Sequence, residues 1–195
     1  VMFHVRDVFL GCQQIHAVTE LILQEPLRWL DLIARFRATL TWAPNFAFAL
    51  VNAREEAIRE RHWDLSSMRF ILNGGEAIVA RTARRFLQML RPHGLPGTCM
   101  HPAWGMSETS SGVTYSDSFS VETTSDDDSF VEVGAPIPGF SMRIVDARDR
   151  LAREEEIGRL QVRGPSVTSG YYRNPGLTRN AFSADGWFET GDLGF

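Results

Sequence analysis

The sequence contains no lysine: all 20 of its Lys and Arg positions are arginine. The compact ammonium that phosphate chemistry often uses therefore has to come from elsewhere, because the planar fork of arginine delivers its charge with a different geometry. Cysteine is scarce too. Cys12 and Cys99 stand far apart with no CxxC or Cys/His spacing, which excludes a disulfide framework and a zinc site and fits a reducing cytoplasm. No apolar stretch is long enough to span a bilayer, and no basic, apolar, small-residue signal opens the chain; Val1-Met2-Phe3-His4 reads instead as a chain entered in mid-fold. No GxGxxG follows a strand, which argues against a dinucleotide oxidoreductase. A net charge of −4 gives no reason to expect nucleic acid or an anionic membrane as partner. The sequence carries no internal repeat, and 195 residues suffice for a real core.

What is present alternates. Pro26 suits a first helical turn, and Leu27, Leu30, Ile33 and Phe36, with Trp29 and Leu32, predict an apolar helix face. Ala38 to Trp42 is β-prone and ends at Pro44; Phe46 to Arg61 reads as a second helix. Met68 to Leu72 predicts a buried strand stopped by Asn73-Gly74-Gly75, after which Val79, Ala83, Phe86, Leu87 and Leu90 repeat at helical spacing. Strand and helix in alternation predict an α/β fold with a parallel sheet and flanking helices, its glycine turn and the Trp104 loop lying at carboxyl ends of strands. From about Val131 the texture changes. Val133 to Gly139, Ser141 to Asp146, Arg159 to Arg163 and Tyr171-Tyr172 read as short strands in a β-rich, barrel-like subdomain. The expected division is residues 1–130 and 131–195. Ser116 to Asp128, rich in Ser, Thr and Asp, reads as a mobile connection. The runs Asp126-Asp127-Asp128, Glu154-Glu155-Glu156 and Arg81-Arg84-Arg85 read as solvated faces.

Three short elements carry chemistry: Asn73-Gly74-Gly75-Glu76, Trp104-Gly105-Met106-Ser107-Glu108-Thr109 and Thr190-Gly191-Asp192-Leu193. Glycines let a main chain close on a base and its phosphates, a Ser107 hydroxyl can meet an anionic oxygen, and carboxylates suit a cation and ribose hydroxyls. Each element alone is weak, since a double glycine after a strand is usually a turn and Thr-Gly-Asp is common by chance.

Together, and with Gly158-Arg159-Leu160-Gln161-Val162-Arg163-Gly164-Pro165, Gly170-Tyr171-Tyr172 and Thr178 to Phe182 between them, they resemble the adenylate-forming superfamily: adenylation domains of nonribosomal peptide synthetases, acyl-CoA synthetases and fatty acyl-AMP ligases. The resemblance implies a middle slice, with a phosphate loop before residue 1 and a lysine-bearing lid after residue 195. It implies that Gly74, Gly75 and Glu76 lie along the adenine of ATP or AMP, with Trp104 stacked on the base in place of the usual tyrosine. Gly105 and Met106 complete that motif. Ser107 donates to an α-phosphate oxygen, Glu108 ligates Mg2+, and Asp192 accepts from the ribose hydroxyls. Ser107 and Glu108 are the implied catalytic pair.

The same resemblance places the acyl pocket at His4, Val8, Asn45, Leu72, Gly74, Ala103, Ser111 and Gly112. Amino-acid-activating members carry an aspartate where His4 stands, and a largely neutral imidazole is a poor counter-ion for an ammonium. The implied substrate is thus a small carboxylic acid without a free α-amino group. Asp7 restores the anion if the register slips, and His4 bonding a neighbouring backbone group is the plainer structural reading. Trp42-Ala43-Pro44-Asn45-Phe46-Ala47-Phe48 resembles fatty acyl-AMP ligases and acyl-ligase loading domains. The implied acceptor is the phosphopantetheine of an acyl or peptidyl carrier protein within a multidomain synthase. An amino-acid adenylation domain, an acyl-CoA ligase and a non-catalytic scaffold remain the alternatives.

Overall fold

The computed structural model describes residues 2–195; Val1, the first residue of the opening reading, lies outside them. Two compact units divide the chain. One gathers everything up to Trp104 with Thr114–Ala135, and the other holds Gly105–Val113 with Pro136–Phe195.

The first unit is the α/β part. Helices α1 (Met2–Phe9), α2 (Thr19–Gln24) and α3 (Leu27–Phe36) lead into β1 (Leu40–Ala43). Then come α4 (Asn45–Asn52), α5 (Glu55–Arg59), β2 (Phe70–Asn73), α6 (Ala80–Leu90) and β3 (Met100–Gly105); β4 (Gly112–Tyr115) closes the sheet. The strands run in the order β1-β2-β3-β4. β1 and β2 pair in parallel from Leu40↔Phe70 to Ala43↔Asn73, and β2 and β3 from Ile71↔Met100 to Asn73↔Pro102. The carboxyl ends of these strands therefore line up, so that Pro44-Asn45, Gly74-Gly75 and Trp104 all emerge at one edge. That edge is where open parallel sheets bind ligands.

The predicted helical stripes form this unit's core. Leu27, Leu30 and Ile33 of α3 and Ala83, Phe86, Leu87 and Leu90 of α6 are buried, with Ile71 and Met100 from the strands. Phe36, expected on the same stripe, is 42% exposed at the end of α3. Trp29, Phe48 and Phe86 make an aromatic cluster with centroids 4.9 to 5.9 Å apart, worth several kcal/mol at about 1.5–3 per buried ring. Trp29 also donates its indole N–H to Thr41 Oγ1 at 3.1 Å.

The single helix expected from Phe46 to Arg61 is two. Asn52 turns its amide to the carbonyl of Thr82 at 2.9 Å, and Ala53 and Arg54 close the turn by bonding back to Ala49 and Val51. A new helix starts with Glu55 and Glu56, acids that suit an amino-terminal end. The break lets Val51 and Ile58 both enter the core.

The stretch from Ser116 to Asp128 is held rather than loose, contrary to its compositional reading. Arg84, its side chain only 12% exposed, donates to the carbonyls of Val121 (2.6 Å) and Thr124 and to Asp126 Oδ1 (2.7 Å). Ser120 and Thr123 bond one another, and Phe119 is buried. Arg84 and Asp126 are thus partners, not members of separate solvated runs; Arg81 and Asp127 pair at the surface.

The second unit carries β5 (Ser141–Val145), β6 (Gly158–Arg163) and β7 (Phe188–Gly194), antiparallel in that order, with α7 (Pro175–Asn180) between the last two. Among the described residues these strands form an open three-stranded sheet, without barrel closure. Val145, Leu160, Val162 and Phe188 are its buried apolar face. Gln161, fully buried, accepts from Arg143 Nε and donates to Glu189, and Arg143 itself pairs with Asp185 at 2.7 Å. Val133 to Gly139 is not a strand, and Tyr171-Tyr172 is a turn leading into α7, which Asn174 caps through Leu177 N–H and Pro175 opens.

Candidate nucleotide and acyl site

The double-glycine bend is shaped by close backbone approach. A Cβ on Gly74 would lie 2.7 Å from the carbonyl oxygen of Ala103, so only glycine lets β2 pass β3 there. Gly75 follows with φ +91 and has the Trp42 indole 3.8 Å from where a Cβ would point. Trp42, 48% exposed, lies in turn 6.1 Å from the Phe3 ring of α1. It is a neighbour of the bend that the motif reading left out.

Two expected site residues fasten this edge. Glu76 Oε1 accepts from the Phe46 amide at 2.6 Å, and Asn45 Oδ1 accepts from the Val79 amide at 3.2 Å. Each side chain thus satisfies an orphan donor at the start of the other's neighbouring helix, α4 or α6. Leu72, Asn45 and Ala103 are buried. Asn73, fully buried, has its amide nitrogen 3.9 Å from Met100 Sδ, and its Oδ1 has no partner. Trp104 is half-buried and donates its amide N–H to Thr114 Oγ1 at 3.1 Å.

His4 and Val8 stand exposed on α1. The His4 ring is 2.6 Å from Gln14 Oε1 and edge-on to His16, so its partner is a side chain rather than the neighbouring backbone group of the plainer reading. Asp7 is held by Arg6 through two guanidinium contacts of 2.7 and 2.8 Å, so its charge is already matched.

The second unit holds Gly105 to Gly112. These two glycines pinch together, since a Cβ on Gly105 would fall 2.4 Å from Gly112 Cα. Between them Ser107–Thr109 makes one 3-10 turn, tied by the buried Thr109 hydroxyl to Met106 and Ser111. Ser107 is exposed on this turn, Ser110 adopts φ +71 and Ser111 is half-buried. Glu108 Oε1 accepts from the Tyr171 hydroxyl at 2.9 Å, a bond that raises the Tyr171 pKa. In the sequence Tyr171 stands out only as a spacing landmark. Asp192 is exposed on β7 beyond Gly191 (φ +83), its amide donating to Thr190 Oγ1 at 3.0 Å.

No cluster of three or more His, Cys, Asp or Glu occurs among the described residues. A cation at Glu108 would have to take its remaining oxygens from phosphates and water. Among the described residues no helix is long and apolar enough to cross a membrane.

Comparison with known proteins agrees with these features. The AMP-binding enzyme family model matches residues 8–172, and the chain belongs to that family. It is 38% identical over 196 residues to the nonribosomal peptide synthetase btyA of Aspergillus terreus, covering 97% of this chain and 21% of the relative. To atromentin synthetase invA1 of Paxillus involutus it is 38% identical over 199 residues, covering 98% and 21%. The chain thus spans about a fifth of the length of the curated relatives it matches.

Among solved structures it is similar to the adenylation domain of a keto acid-selecting nonribosomal peptide synthetase module bound to keto acyl adenylate, with TM-score 0.95 and 45% identity over all of this chain and 40% of that one. McyG A-PCP complexed with phenylalanyl-adenylate gives 0.92 and 46%, over 95% and 33%. The fatty acid AMP ligase of Legionella pneumophila gives 0.83 and 29%, over 96% and 37%. The fold is that of an adenylation domain, and identity is higher to the synthetase domains than to the fatty acid ligase.

Proposed function

We propose that the chain is the central part of an adenylation domain that activates a carboxylic acid lacking an α-ammonium group, with a keto acid the class its 45%-identical neighbour supports. The observation that carries the substrate reading is on α1. His4 is engaged with Gln14, and Asp7, the one carboxylate a register slip would recruit, is paired with Arg6. An ammonium buried without a counter-ion would cost several kcal/mol.

In the reaction so read, a carboxylate oxygen of the acid attacks the α-phosphorus of ATP, the bond to pyrophosphate breaks, and an acyl adenylate results. Gly74, Gly75 and Glu76 with Trp104, Gly105 and Met106 hold the adenine, and Asp192 accepts from the ribose hydroxyls. Ser107 donates to an α-phosphate oxygen. Leu72, Gly74, Ala103, Asn45, Ser111 and Gly112, with His4 and Val8, form the acyl pocket. Glu108 would hold Mg2+, which supplies charge neutralisation at the phosphates. The acyl group then passes to the phosphopantetheine thiol of a carrier protein with release of AMP. No lysine occurs in these 195 residues, so the lysine this reading requires would come from another part of the synthase.

ATP–pyrophosphate exchange by the full-length synthetase, screened with keto, hydroxy, aryl, fatty and amino acids, tests the reading. Exchange with a keto acid and none with its amino counterpart is expected. Exchange restricted to amino acids, as the phenylalanyl-adenylate neighbour would suggest, would overturn the substrate class, and no exchange with any acid would favour a scaffold.

A further inference from the structure

We propose that Tyr171 is the positioning residue of the Glu108 carboxylate: its hydroxyl holds Oε1 so that Oε2 is presented to a hard cation. This rests on the reading of Glu108 as the cation-ligating acid.

The bond itself is 2.9 Å from Tyr171 Oη to Glu108 Oε1, across 63 positions of sequence. It is the end of a longer seam. Thr168 donates its amide to the carbonyl of Glu108 at 2.7 Å, Ser166 Oγ to the carbonyl of Thr109 at 2.8 Å, and Ser110 Oγ to the carbonyl of Ser166 at 3.2 Å. The 3-10 turn that carries Glu108 is thereby fixed to the segment that carries Tyr171.

That segment is fixed in turn. Gly170, at φ +144, has the Thr178 side chain 2.5 Å from where a Cβ would stand, so no larger residue fits. Its amide and carbonyl both bond the Thr168 hydroxyl. The Tyr171 amide donates to Thr178 Oγ1 at 2.9 Å, and that hydroxyl donates to the Asn174 carbonyl at 2.9 Å. The backbone on both sides of the phenol is therefore held before any ligand arrives.

A glutamate on a short turn has several rotatable bonds, and a carboxylate left to itself spreads over many orientations. Fixing one oxygen with a neutral donor removes most of that freedom without neutralising the charge, which is the role outer-shell donors play at metal sites. A lysine or arginine in the same place would orient the group but compete with the cation for its charge.

The test uses the full-length synthetase, with Y171F, E108Q and the double variant. The readouts are half-saturating free Mg2+ in pyrophosphate exchange, Mn2+ affinity by electron paramagnetic resonance with an ATP analogue non-hydrolysable between the α and β phosphates, and thermal midpoint. Y171F is expected to weaken both cation measures about 10-fold with an unchanged midpoint. E108Q should weaken them at least as much, and the double variant should be no worse than E108Q, because Tyr171 acts through Glu108.

If E108Q weakens cation binding and Y171F does not, the positioning role is overturned and the Glu108 reading stands. If E108Q leaves cation binding unchanged, the Glu108 reading itself falls, and this inference with it. Additive losses, or a drop in midpoint with unchanged cation affinity, would assign Tyr171 a purely structural role. Should Y171F fail to fold, Thr178→Val removes the acceptor for the Tyr171 amide while keeping the phenol. It is expected to weaken Mn2+ binding in the same direction by a smaller factor, and an unchanged affinity would overturn the proposal.

Discussion

The Glu76 carboxylate accepts the backbone N–H of Phe46 at 2.6 Å. The acid of the double-glycine motif is thereby engaged at the first turn of α4, where a negative charge also meets the positive end of the helix. Glu76→Ala is expected to cost about 1 kcal/mol, with faster amide exchange in the first turn of α4. Glu76→Gln, which keeps an acceptor, should cost less. Unchanged stability with lost nucleotide binding would mean that the carboxylate serves the ligand instead.

The two glycines of the same bend should respond differently to a methyl group. Gly74→Ala drives a Cβ to 2.7 Å from a backbone oxygen that cannot rotate away, and a loss of about 3 kcal/mol is expected. Gly75→Ala meets nothing closer than the Trp42 indole at 3.8 Å and bears only its φ of +91, at about 1 kcal/mol. Denaturant midpoints that ranked the two in the opposite order would contradict the close-approach account.

Arg84→Met takes the donor from the carbonyls of Val121 and Thr124 and the cation from Asp126. Leaving those acceptors to find water costs about 2–3 kcal/mol. Hydrogen exchange should accelerate across residues 116–128 more than in α3. Unaltered protection there would show that the segment holds itself together through its own Ser and Thr side chains.

Acid should weaken the second unit by a defined route. The guanidinium of Arg143, then the hydroxyl of Ser183, pulls the Asp185 pKa from 3.8 down to about 2. A depressed carboxylate contributes stability that is complete above its unfolded value and is lost as pH falls through its folded one, here between about pH 4 and pH 2. Asp64 in the first unit behaves alike, lowered to about 2 by Ser66 and then Arg37. Asp185→Asn should flatten the fall in stability over that window, measured by denaturation at a series of pH values. A slope equal to that of the parent would exclude this pair.

The helices that bury a stripe were legible because their own residues specify it: α3 and α6 read correctly from Leu27 to Ile33 and from Ala83 to Leu90. The parallel order followed from strand and helix alternation, and β2 stopped where its glycines stop it. What escaped were features whose cause lies elsewhere in the chain. The break after Asn52 depends on the Thr82 carbonyl, 30 positions away, and the ordering of Ser116 to Asp128 depends on Arg84. A polar stretch has the same composition whether or not a distant guanidinium satisfies it. The hold of Tyr171 on Glu108 was not legible either, because no local pattern marks a phenol as a partner for an acid 63 positions earlier.

The Arg143–Asp185, Arg84–Asp126 and Arg159–Glu189 pairs all use guanidinium as the cation, and no primary amine occurs on any side chain of the sequence. Amine-directed chemistry, whether an ester cross-linker, a fluorescent tag or enzymatic acylation, therefore finds no side-chain target in this span. In any longer polypeptide that carries it, side-chain adducts of that kind map to the flanking parts, so such labelling can follow their movement against a silent background.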